Sequence, residues 1–113
     1  MITDAERQSH LDDFIGTVMF TKKPIIKKAQ YQANCMLRET EEAHPHLDLW
    51  YEASDFMPMA LELQIRSKFK VLIRTLHDSY GRKFMAVRYL HEVDHTIDYL
   101  VRELLDESEF ELY

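Results

Sequence analysis

Apolar residues return every three or four positions through most of this chain, with polar residues filling the gaps. That period puts the apolar side chains on one face of an α-helix. The first stripe is Leu11, Phe14, Ile15, Val18 and Met19. Ahead of it, residues 3–6 read T-D-A-E, a capping box in which Thr3 and Glu6 satisfy free backbone N–H groups. This helix ends near T-K-K-P, because Pro24 suits the first turn of a new helix.

The second predicted helix spans 24–43, with Ile26, Ala29, Ala33, Met36, Leu37 and Thr40 on its stripe. It stops before Pro45, which pushes the residue ahead of it out of the α region. A connection rich in aromatic residues follows, with room for a short helix before Pro58. The third helix spans 59–80, with Leu61, Ile65, Phe69, Leu72 and Leu76 inward and Gly81 as its natural C′ residue. The fourth spans 82–106, and its seam is Ala86, Leu90, Val93, Ile97, Leu100 and Leu104. The expected fold is all-α: a compact, mostly antiparallel bundle of about four helices, with stripes apolar enough to make a dimer compatible. A single domain over 1–106 is followed by an acidic, aromatic tail over 107–113, expected to be loose because it carries no period.

Composition supports this. The chain has 113 residues, only two glycines and three prolines, so turns are few and elements long. Cys35 is the one cysteine, which excludes an internal disulfide and any cysteine-rich zinc site. A reducing, cytoplasmic setting is expected, with no membrane span and no signal peptide.

Charge changes the picture more. The net charge is −6, yet residues 63–91 hold seven bases and one acid, a local +6. Residues 92–113 hold one base and eight acids, a local −7. Four lysines, Lys22, Lys23, Lys27 and Lys28, open the second helix. Arg66, Lys70, Arg74, Arg82, Lys83 and Arg88 would form a basic helical hairpin able to meet a phosphate backbone. The competing expectation is that these bases pair with acids of neighbouring helices or of a second subunit, and the overall acidity favours it.

Candidate chemistry is sparse. Residues 91–95 read H-E-V-D-H, the spacing that holds zinc in many metallopeptidases. At 100° per residue, His91 lies roughly 140° and His95 roughly 180° from the centre of the apolar seam, beside Arg88 and Arg102. The expectation is therefore a solvated helix face, with a weak metal site at His91 and His95 as the alternative. Glu41 with His44 and Glu92 with His95 would suit a di-iron bundle, with Asp12 or Asp13 and Glu62 completing it, but only if all pointed inward. Cys35 has no obvious histidine partner, and two glycines cannot build a phosphate-binding loop. The repeated R-x-x-H, Arg74 to His77 and Arg88 to His91, is compatible with RNA cleavage but reads more simply as chance spacing.

No catalytic set or cofactor site emerges. The sequence points instead to a small non-catalytic interaction protein: an adaptor, accessory subunit or inhibitor. Its expected contact residues are Trp50, Tyr51, Phe56 and Met57 in the connection, and Phe110, Leu112 and Tyr113 in the tail. A protein partner, a homo-oligomer or, alternatively, nucleic acid would be the binding target.

Overall fold

The computed structural model describes the backbone of residues 3–46, 50–80 and 87–111, and side chains over 3–46, 50–70 and 91–107. Among these residues there are four α-helices and one short 3₁₀ turn: α1 (Asp4–Phe20), α2 (Lys22–Ala43), the turn (Ala53–Phe56), α3 (Met57–Tyr80) and α4 (Val87–Glu111). The all-α bundle is therefore present.

Local chemistry sets the boundaries. The Thr3 hydroxyl accepts from the Glu6 N–H at 3.2 Å and caps α1. Thr21, at φ −103° and ψ 22°, is the single residue between α1 and α2. α2 stops at His44, one residue before Pro45. α3 begins at Met57, two residues earlier than the apolar period predicts, with Pro58 in its first turn, where the missing N–H costs nothing. α4 continues to Glu111. Residues 107–111 are thus helical rather than loose: no glycine or proline interrupts them, and Glu107 is tied down by Lys22.

The core draws on all four helices. Its fully buried large side chains are Val18, Ile25, Ile26, Leu61, Ile65, Ile97, Leu100 and Leu104. Phe14 of α1 meets Phe69 of α3 edge-on, with ring centroids 5.1 Å apart. Burying one such side chain is worth about 1.5–3 kcal/mol, so this set outweighs any surface contact in the molecule. The predicted positions Ala86, Leu90, Leu72, Leu76 and Gly81 lie outside the described side chains.

Cross-links between helices define their directions. A groove of about 460 Å³ joins Pro58, Met59 and Glu62 of α3 to Asp98, Val101 and Arg102 of α4. Further along, Arg66 reaches Asp94. Numbers rise on one helix as they fall on the other, so α3 and α4 are antiparallel. Gln64 of α3 donates to Gln32 of α2 at 2.9 Å. Lys22 of α2 donates to Glu107 of α4, also at 2.9 Å, beyond the level of Met57. Going from Gln32 back to Lys22 therefore moves toward the start of α3. α2 and α3 run in the same direction, and the 3₁₀ turn packs on α2.

Candidate protein-interaction surfaces

The aromatic connection ends in a built corner. The Glu52 N–H donates to Asp55 Oδ2 at 2.8 Å, closing the 3₁₀ turn. The turn carries Phe56 against the core, where it is partly buried. Tyr51 stands edge-on to Phe56, with centroids 5.8 Å apart and planes at 63°. Half of Tyr51 remains in water, and Trp50 is 89% exposed. Met57 departs from its expected role as a contact residue. It is 4% exposed, because it lies one turn before Ala60 and Leu61 on the buried stripe of α3. Of the expected contact residues, Trp50 and Tyr51 are displayed, while Phe56 and Met57 serve the core. The side chain of Phe110, and all of Leu112 and Tyr113, lie outside the described residues.

The basic hairpin looks different at each member that can be placed. Arg66 is committed within the chain. Its Nε donates to Glu62 Oε1 at 3.0 Å, and both terminal nitrogens donate to Asp94 Oδ1 at 3.2 Å. Partial burial opposes its charge, but the hydrogen bonds to Glu62 and Asp94 outweigh that and hold its pKa above the ordinary arginine value. Arg66 is thus a clasp between α3 and α4 rather than a free phosphate ligand. Lys70 is exposed. The side chains of Arg74 and Arg88, and all of Arg82 and Lys83, lie outside the described residues, as does the Arg74 to His77 pair.

His91 and His95 are both exposed on α4. Among the described residues, no group of three or more His, Cys, Asp or Glu side chains could hold a metal ion. The imagined di-iron ligands do not converge: Asp12, Asp13, Glu41 and His44 are exposed, and Glu62 is engaged by Arg66. No helix among the described residues is long and apolar enough to cross a membrane.

A further feature was hidden in the sequence. Lys27, Lys28, Tyr31, Gln32 and Cys35 of α2 line a groove of about 470 Å³ with Gln64 of α3. Cys35 is half-buried in its wall rather than free on the surface. The i, i+4 spacing of Lys27, Tyr31 and Cys35 was readable as one face. The second wall was not, because it comes from a helix whose direction depends on a long connection.

No protein-family model, curated protein or solved structure matches this chain.

Proposed function

We propose that the chain is a small non-catalytic helical interaction protein, an adaptor, accessory subunit or inhibitor, that engages a protein partner through Trp50 and Tyr51. The observation that carries this reading is the exposure of Trp50, 89% in water beside the Tyr51–Phe56 ring contact. An exposed indole leaves on the order of a few kcal/mol of apolar transfer free energy unrealised until a partner covers it. Trp and Tyr are also the side chains that most often dominate binding energy at interfaces. Tyr51 is held by its edge contact with Phe56, so ordering that ring on binding costs little. The test is affinity purification of the full chain beside Trp50→Ala. A protein retained by the first and lost by the second, with helicity unchanged, supports the reading. Equal retention by both overturns it.

Nucleic-acid binding through Lys70, Arg74, Arg82, Lys83 and Arg88 is the second reading, favoured by the local +6 of residues 63–91. The internal pairing of Arg66 weighs against it. Fluorescence anisotropy of labelled single- and double-stranded RNA and DNA decides: saturable binding with a steep salt slope supports this reading, and none at low salt rejects it. A metal-dependent hydrolase acting through His91 and His95 has less support, since both are exposed and no third ligand stands with them among the described residues.

A further inference from the structure

From Phe14 to Arg38 the chain has five basic residues and no acid, within a protein of net charge −6. Lys22 is answered by Glu107. Lys27 and Lys28 are exposed, have no ion pair among the described residues, and border the α2–α3 groove. Tyr31, 70% exposed, adds an aromatic face, and the buried side of Cys35 adds an apolar wall. The complementary chemistry is an acidic segment with aromatic groups. Residues 108–113, S-E-F-E-L-Y, have that composition: two carboxylates, Glu109 and Glu111, interleaved with Phe110, Leu112 and Tyr113.

The segment cannot reach the groove of its own chain while α4 stays helical. Glu107 already lies at the start of α2, level with Lys22. α4 runs opposite to α3, and α2 runs with α3. Each further residue of α4, through Glu111, moves away from Lys27 and Lys28. A second copy has no such restriction.

We infer that the Lys27–Lys28–Tyr31 groove of one copy binds the acidic–aromatic segment 108–113 of another. Carboxylates meet the two ammonium groups, and an aromatic ring covers Tyr31 and Cys35. The assembly is head-to-tail: it closes into a ring where the rotation allows and otherwise extends. The inference does not depend on Trp50, so either surface could fail alone.

Sedimentation velocity on the full chain tests it, across protein concentration, at low and at high salt. The expected result is a weight-average mass that climbs above the 13.6 kDa chain mass at low salt and falls back at high salt. Lys27→Glu with Lys28→Glu should weaken self-association by about tenfold or more. Glu109→Lys with Glu111→Lys should do the same. Because both double variants could act through general charge, the decisive variant carries all four changes. It restores opposite signs across the contact and should recover self-association. A monomer at every low-salt concentration overturns the inference. So does self-association indifferent to the Lys27 and Lys28 reversals, or a fourfold variant as weak as either double.

Discussion

Arg66 and Thr3 show how little a single polar contact contributes here and how specifically it acts. The Arg66 guanidinium is about two-fifths exposed, as is its partner Glu62, and Asp94 more so. Solvent screens such pairs, so Arg66→Ala should lower unfolding free energy by no more than about 1 kcal/mol, with the loss shrinking in salt. A double-mutant cycle with Asp94→Ala by chemical denaturation measures the coupling. Because its hydrogen bonds raise the Arg66 pKa, the arginine stays charged throughout the accessible pH range. Its contribution is therefore fully present below the ordinary arginine pKa and is lost only as pH rises through the raised one. At Thr3, removal of the hydroxyl that accepts from Glu6 should cost about 0.5–2 kcal/mol and fray the start of α1. Thr3→Ala against Thr3→Ser, compared by thermal unfolding, separates the cap from other effects. Trp50→Ala, by contrast, should leave stability within about 0.5 kcal/mol, since the ring has almost no intramolecular cover to lose.

Among elements, α3 carries the most. Leu61 and Ile65 are fully buried, and α3 packs on both α2 and α4. Leu61→Ala should cost about 2–5 kcal/mol, enough to remove much of the stability of a domain this size, as denaturant titration would show. The stripes of α1, α2, α3 and α4 were legible in the sequence because a period of three and four survives any arrangement of the helices. Their ends were less so. Met57 looked like part of a flexible contact segment because Pro58 follows it, yet a proline is tolerated in a first helical turn and the stripe reaches back to Met57. Ile25 lies inside the expected second helix but outside its expected stripe; α2 buries it fully, because its i, i+4 spacing to Ala29 and Ala33 places it on the same face. The exposed faces of His91 and His95 were readable from the helical wheel. The α2–α3 groove was not, because no spacing within one helix reports which helix lies beside it.

For the whole molecule, direction matters more than content. Because α2 and α3 run together and α4 runs against them, the positive N-terminal poles of two helix dipoles lie at the end where α4 presents its negative C-terminal pole. The last turn of α4 has no basic residue to offset its own dipole, and α2 opens with Lys22 and Lys23 in the turn where anions are preferred. Taken helix by helix, both choices are unfavourable. Taken together they cancel: the pole that each helix aggravates is answered by its neighbour, and Lys22 with Glu107 is the point of contact. Glu107→Gln should therefore destabilise the bundle by up to about 1 kcal/mol at low salt, more than an equivalent change at an exposed mid-helix acid such as Asp98. Separate synthetic peptides for α2 and α4 should each be poor helices, since the field that makes their charges tolerable exists only once the bundle has assembled.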